Sequence, residues 1–306
     1  MPERPGFLAG PDALVLDGGL ATELEARGHD LSGALWSARL LADDPDAIVA
    51  AHRAFFAAGA EVATTASYQA SFSGFAAAGI AHAETARLLR RSVALARAAR
   101  DGFSDDRLRW VAASVGPYGA ALADGSEYRG RYGLGVAELA VWHRPRLEVL
   151  AAAGADLLAL ETVPDAVEAE ALVAALDGLD VPAWLSYSIS GSRTRAGQPL
   201  VEAFAVVADA PQVVAVGVNC CDPADVDAAI AVARSVTGKP VVVYPNSGED
   251  WDAVRGRWTG RPRFSVGDAA GWVARGAAAV GGCCRVGPAQ IAAVARGGLP
   301  SRCGRT

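Results

Sequence analysis

Three of the five cysteines in this 306-residue chain stand where residue type and spacing allow chemistry. Cys220 lies in the run Gly-Val-Asn-Cys-Cys, and Cys283 and Cys284 lie in Gly-Gly-Cys-Cys-Arg, with 63 residues separating Cys220 from Cys283. That gap is far too long for a zinc finger, so a metal held by all three would have to be assembled by the fold. Three thiolates would give a tetrahedral Zn²⁺ three corners and leave the fourth open, which is the catalytic arrangement. Gly281 and Gly282 would let the backbone turn closely enough for two consecutive side chains to reach one ion. The competing reading of a free cysteine is a small buried hydrophobe. A Cys283–Cys284 disulfide would need a strained vicinal geometry and an oxidising compartment. Of the four histidines, His29, His52, His82 and His143, none falls at a predicted strand end, which fits surface or helix-packing roles. No H-E-x-x-H, G-x-S-x-G or G-x-x-x-x-G-K-[ST] pattern appears, which disfavours zincin, α/β-hydrolase and P-loop chemistry.

The cysteines can meet only if the chain brings their segments together. An Ala-rich helical stretch, a Gly-Ala step and a short apolar run with a polar end recur at 54–68, 149–162 and 272–284. The glycine fits the position just after a helix, and the uniformly apolar run fits a parallel strand buried on both faces. Extending this pattern predicts strands at 14–18, 61–67, 110–116, 157–162, 183–189, 213–220, 240–246 and 277–284, with amphipathic helical segments between them. Such alternation forms right-handed βαβ units, and eight of them in about 300 residues predict an α/β chain folded as a single (β/α)8 TIM barrel over 1–306. The first connection, roughly 21–59, has room for an extra loop or short helix. The strand ends carry Asp17, Thr65, Ser114, Glu161, Ser186, Ser188, Asn219, Cys220, Asn246, Cys283 and Cys284. In a barrel these ends converge on one mouth, where active sites are built. Any one of them could merely satisfy a nearby backbone group, but the bias recurs from strand to strand.

Composition narrows the function classes. Lys plus Arg total 28 against 34 Asp plus Glu, a formal charge of -6, and no basic stripe appears, which argues against a nucleic-acid binder. Hydrophobic residues at 52% can bury a large core. No apolar run reaches the roughly 18 residues of a bilayer span, and no secretion signal is evident, so the expectation is a soluble, cytoplasmic protein without a membrane partner. Sparse, odd-numbered cysteines fit a reducing compartment.

The segments LDGGLATELEARG (16–28), LWSARLL (35–41), TTASYQASFSGF (64–75), SVGPYGA (114–120), ETVPDAVEA (161–169), GVNCCDP (217–223), VYPNSGEDWD (243–252) and GGCCRVGP (281–288) together resemble the homocysteine S-methyltransferase family. They are most similar to the branch using S-methylmethionine or S-adenosylmethionine. The resemblance implies a (β/α)8 barrel in which Cys220, Cys283 and Cys284 hold a catalytic Zn²⁺ that receives L-homocysteine. It implies that Asp17 and Glu161 hold the substrate's amino-acid end, a task suited to carboxylates because that end carries an ammonium. Tyr68 matches a tyrosine near the metal that occupies the open position without substrate, and Asn219 and Ser114 match contacts to substrate or to the groups around it. Glu161 has an alternative role as a cap for the helix beginning near Asp165. Cys221 has no counterpart in the family motif, nor has Cys303, which reads as a free exposed thiol. Trp36, Tyr118 and Tyr128 are candidates for cation–π or edge contacts to a sulfonium.

The chemistry implied turns on charge. A free thiol, with a pKa of about 8.5, is mostly protonated at neutral pH, whereas a metal-coordinated one is deprotonated. A sulfonium methyl is activated by its positive charge, and an anionic thiolate site attracts it. Transfer cancels that charge and gains from the exclusion of water. Two alternatives stay open. One is a family member using betaine or another methyl donor, and the other is a non-catalytic zinc-binding barrel, which would have no use for Asp17 and Glu161. A cobalamin-dependent enzyme does not fit, because no Asp-x-His-x-x-Gly motif surrounds any histidine.

Overall fold

A computed structural model describes residues 7–8, 10, 12–31, 37–252, 257–297 and 299. Eight parallel strands form its centre: β1 (Leu14–Val15), β2 (Val62–Thr64), β3 (Trp110–Val115), β4 (Leu157–Val163), β5 (Ala183–Tyr187), β6 (Val213–Asn219), β7 (Val241–Tyr244) and β8 (Ala277–Val280). From β2 onward each strand pairs with the next, and β8 returns to β1 with Leu14 opposite Ala279 and Val15 opposite Val280. A single parallel bridge, Leu16 to Val62, joins β1 to β2 and closes the ring. The expected TIM barrel is therefore the fold, with every predicted strand in place.

Each strand is followed by a helix packed on the outside, and the long first connection carries three, Leu20–Ala26, Ser37–Asp43 and Pro45–Ala57. Local chemistry sets several helix starts. Asp44, Ser71, Asp165 and Ser265 each accept a backbone N–H of the first turn on a side-chain oxygen, satisfying a donor that would otherwise lack a partner. Among the described residues no helix is long and apolar enough to cross a membrane.

The two-residue period of the strands sorts the side chains. Val111, Ala113, Leu158 and Leu160 face the helices and join the outer core. Trp110, Ala112, Leu157 and Ala159 fill the barrel with Leu16, Val62, Trp184, Ala215, Val242 and Ala279. The next inward position is polar on strand after strand: Ser114, Glu161, Ser186, Asn219 and Tyr244. Burying a large apolar side chain contributes about 1.5–3 kcal/mol, while a buried polar group costs stability unless it is bonded. The interior is thus an apolar plug below and a hydrogen-bonded polar layer at the mouth. Hydrogen-bond ladders on β7 and β8 stop at Tyr244 and Val280, short of the predicted ends, because the residues beyond turn away to build that mouth.

Candidate active site at the barrel mouth

Cys220 leaves β6 and Cys283–Cys284 leave β8, on either side of β7. Their three sulfurs lie within 4.8 Å of one another. Cys220 and Cys283 are paired as a disulfide with Cα atoms 5.6 Å apart, and Cys284 is free. The pairing runs from strand to strand; no vicinal Cys283–Cys284 bond forms. Once reduced, the cluster offers three thiols in the space of a tetrahedral ion, whose sulfur–sulfur edges measure about 3.8 Å for metal–sulfur bonds of about 2.3 Å.

The segment after β7 fastens both sides of the cluster. Tyr244 and Pro245 carbonyls accept from the N–H groups of Cys220 (3.3 Å) and Cys283 (2.7 Å), and Asn246 Oδ1 accepts from Cys284 N–H at 3.1 Å. Cys220 has a left-handed backbone, φ 47°, which interrupts the strand alternation. Asn219 and Cys220 therefore both serve the mouth, while Cys221 turns into the outer core. This distinguishes the clustered thiol, Cys220, from its buried neighbour. Gly281 and Gly282 serve a different end from the one expected. Gly282 N–H donates to the Asp17 carbonyl at 3.1 Å, and a Cβ on Gly281 would lie 2.6 Å from that oxygen. The missing side chain of Gly281 lets the ends of β1 and β8 touch, and that of Gly282 leaves room for Val286.

Asp17 and Glu161 are both buried in this mouth. Asp17 accepts from Thr64 N–H at 2.7 Å and from the Thr64 hydroxyl at 3.1 Å. Glu161 accepts from the hydroxyls of Ser114 and Tyr244. Burial pushes Glu161 up to about 7, against those two hydrogen bonds. Burial likewise raises Asp17 well above the usual carboxylate range, with Thr64 opposing and the charge of Glu161 adding. Two carboxylates that bear on each other, with no ion pair to either among the described residues, suit a cationic ligand. Glu161 is not the helix cap; Asp165 fills that position, accepting from Val167 N–H at 3.0 Å.

Residues 14–297 match the family described as homocysteine S-methyltransferase. The chain belongs to the homocysteine S-methyltransferase family. It is 47% identical over 292 residues to homocysteine S-methyltransferase of Escherichia coli (strain K12), an alignment covering 92% of this chain and 94% of the other. It is 46% identical over 302 residues to homocysteine S-methyltransferase 4 of Zea mays, covering 92% and 88%. The crystal structure of the E. coli homocysteine methyltransferase MmuM in its metallated form superposes with TM-score 0.83 at 45% identity, covering 93% of this chain and 96% of that one. The oxidised form of the same protein gives TM-score 0.86 at 44% identity, covering 95% and 99%. Membership makes this chain a methyltransferase enzyme.

The wall of this methyltransferase mouth opposite β7 is built around Tyr68. Its ring packs against Gly116, where a Cβ would meet the Tyr68 carbonyl at 2.6 Å and ring carbons at 2.7 Å. Thr162 bonds the Tyr68 hydroxyl and is itself pinned by Asn219, which accepts from Thr162 N–H and donates to Thr162 Oγ1, both at 2.7 Å. Thr162 carries φ 59°, a strained conformation for a β-branched residue. Behind the wall lies a buried trio. Arg146 donates to the Gly116 carbonyl and lies 2.7 Å from His143 Nδ1. Glu168 accepts from Tyr118 N–H and sits 2.9 Å from His143 Nε2. Arg146 and Glu168 thus hold the two ends of Gly116-Pro117-Tyr118.

The remaining sequence expectations divide. The Tyr128 hydroxyl donates to the Cys284 sulfur, whose thiol burial pushes up to about 11 against that bond. Tyr118 instead packs on Trp142 and Tyr132, with ring centroids 4.9 and 5.2 Å away. Trp36 and Cys303 lie outside the described residues. No histidine joins the cysteine cluster, and His143 does pack between helices, as expected. Sequence reasoning passed over Tyr244 and Thr162. Tyr244 stood in the Tyr-Pro-Asn motif and was legible as an inward strand end, and Thr162 as the last residue of the strand expected at 157–162.

Proposed function

We propose that this chain is a zinc-dependent homocysteine S-methyltransferase that moves a methyl group from a sulfonium donor, S-methylmethionine or S-adenosylmethionine, to L-homocysteine, giving L-methionine. The observation that carries the reading is one mouth holding both a three-cysteine cluster and two cation-seeking carboxylates. A storage site would use the first without the second. Cys220, Cys283 and Cys284 would hold the metal, which when bound supplies the Lewis acidity that deprotonates a thiol at neutral pH.

The chain's own residues supply position. Asp17 and Glu161 receive the ammonium of homocysteine and fix which end of the substrate faces the cysteines. Ser114 and Tyr244 orient Glu161, and Asn219 holds the Thr162–Tyr68 wall through Thr162. Tyr68, kept neutral by burial, closes the mouth to water from that side. The acceptor sulfur attacks the donor methyl as the donor carbon–sulfur bond breaks. The breaking bond's electron pair stays on the donor sulfur, leaving a neutral thioether, and the acceptor's thiol proton goes to solvent. We read the enzyme as cytoplasmic, since reduced thiols are required.

The test is methionine formation from homocysteine with S-methylmethionine, S-adenosylmethionine or betaine, before and after chelation, with metal content measured alongside. Activity with a sulfonium donor, lost on chelation and restored by Zn²⁺, is expected. Cys284→Ser should lose bound metal and at least a hundredfold in kcat. Activity untouched by chelation overturns the zinc reading, and turnover with betaine alone overturns the donor assignment.

A further inference from the structure

The hairpin after β5, Ile189–Ser190 paired with Arg193–Thr194, delivers to the mouth a cation that the mechanism above does not use. Arg195 follows it directly, and the backbone on both sides is fixed. Arg195 N–H donates to the Ser188 carbonyl at 3.1 Å, and Ala196 N–H donates to the Pro164 carbonyl at 2.8 Å. The side chain turns toward the cysteines. Its Nε donates to the Ser188 hydroxyl at 3.2 Å and its Nη2 to the carbonyl of Cys220 at 3.4 Å. The guanidinium carbon lies 5.6 Å from the centre of the Tyr128 ring, whose hydroxyl reaches the Cys284 sulfur. Arg195 thus meets the backbone of one clustered cysteine and lies over the ring of the tyrosine bonded to another.

These contacts leave its charge unanswered. Both hydrogen bonds are long against the usual distance of about 2.9–3.0 Å, and both go to neutral oxygens. Three of the five guanidinium N–H groups have no partner among the described residues, and no Asp or Glu pairs with Arg195 there. A half-buried guanidinium is suited to a carboxylate, which it can grip through two parallel bonds. Depth in the mouth distinguishes between the substrates. Asp17 and Glu161, the partners proposed for the acceptor's ammonium, are 3% and 8% exposed, whereas Tyr128 is 37% exposed. Arg195 belongs with Tyr128 to the outer tier, where a second ligand enters above the first.

Resting on the proposed sulfonium chemistry, we infer that Arg195 binds the α-carboxylate of the methyl donor: a half-buried guanidinium without an anionic partner, held over Tyr128 and against Cys220 in the outer tier of the mouth. S-methylmethionine and S-adenosylmethionine carry that carboxylate on the same methionyl chain, so one residue serves either. The charge also sets the donor's direction. Arg195 attracts the carboxylate and repels the sulfonium, which turns the positive sulfur away from it and toward the anionic cysteines. It covers one face of Tyr128 as well, so on that side the ring engages the protein's own cation. Losing one charge-assisted pair of this kind corresponds to about ten- to a hundredfold in affinity.

Steady-state kinetics on the zinc-loaded enzyme would compare S-methylmethionine with S-methylmethioninamide, which keeps the sulfonium and the ammonium but has no carboxylate, with metal content measured alongside. Wild type should show a kcat/KM for S-methylmethionine about tenfold or more above that for the amide. In Arg195→Gln that preference should vanish through a rise in donor KM, with homocysteine KM and bound zinc unchanged, and Arg195→Lys should keep part of it. A preference that survives in Arg195→Gln overturns the inference. So does a rise in homocysteine KM with donor KM unmoved, which would assign Arg195 to the acceptor, and so does loss of zinc, which would make it a support for Cys220. If Arg195→Gln does not fold, Arg195→Lys decides, because replacing the fork by a point charge must lower the preference. If S-adenosylmethionine is the better donor, the same comparison is made with its decarboxylated form. A wild type that turns over neither sulfonium refutes the proposed function and the inference with it, whereas wild-type turnover with an unaltered preference in Arg195→Gln refutes the role of Arg195 alone.

Discussion

Replacing Glu161 by Gln removes the mouth's most informative charge. With its carboxyl pushed up to about 7 by burial, the group is about one-tenth ionised at pH 6 and about nine-tenths at pH 8. A ligand whose ammonium needs the carboxylate should therefore bind about tenfold more weakly at pH 6 than at pH 8. L-Methionine is the suitable probe, since it carries the same ammonium as homocysteine but no thiol to titrate. In Glu161→Gln the dependence should largely flatten, and affinity at pH 8 should fall by tenfold or more, the loss expected for one charge-assisted hydrogen bond of about 1.5–3 kcal/mol. Any slope that remains reports Asp17, whose carboxyl is also raised. Calorimetry from pH 6 to 8 on both proteins measures these quantities. A wild-type affinity that does not change with pH, or a slope that survives intact in Glu161→Gln, would refute Glu161 as the ammonium partner.

Two further outcomes follow from packing and burial. Gly116→Ala would press a methyl into the Tyr68 carbonyl and ring; it should cost about 1–3 kcal/mol in urea denaturation and raise KM more than a remote substitution of equal cost. His52 is buried with neither ring nitrogen bonded, and burial lowers its pKa from 6.5 to about 4. It stays neutral in the fold while the unfolded chain takes up a proton, so stability should fall by roughly 3 kcal/mol as pH drops from 6.5 to about 4. His52→Leu should remove that part of the acid dependence, and an unchanged acid limb would show that another group carries it.

Much of the barrel could be read from the chain because buried parallel strands are uniformly apolar and end abruptly in polar residues. Ser114, Glu161 and Asn219 were visible for the same reason: each continues the inward face of its strand. The cysteine cluster could be read only once the strands were arranged in a ring. The partners were not legible. That Asn219 would hold Thr162, or that Arg146 and Glu168 would grip either end of Gly116–Tyr118, depends on distances set by helices packing from far along the sequence. The role of Gly281 was not legible because its constraint comes from another strand, the one that ends at Asp17, whereas Gly282 makes room for Val286 within its own turn.

The placement of β8 bears on how the molecule comes into being. This last strand lies between β7 and β1, so the ring cannot be completed by the seven strands before it. The segment just beyond it supplies two of the three clustered sulfurs, while Cys220 stands just after β6. A chain emerging from the ribosome therefore has no three-cysteine cluster until the segment that seals the barrel has been made. The same event that ends folding creates the cluster, and a half-folded chain cannot present it to passing metal.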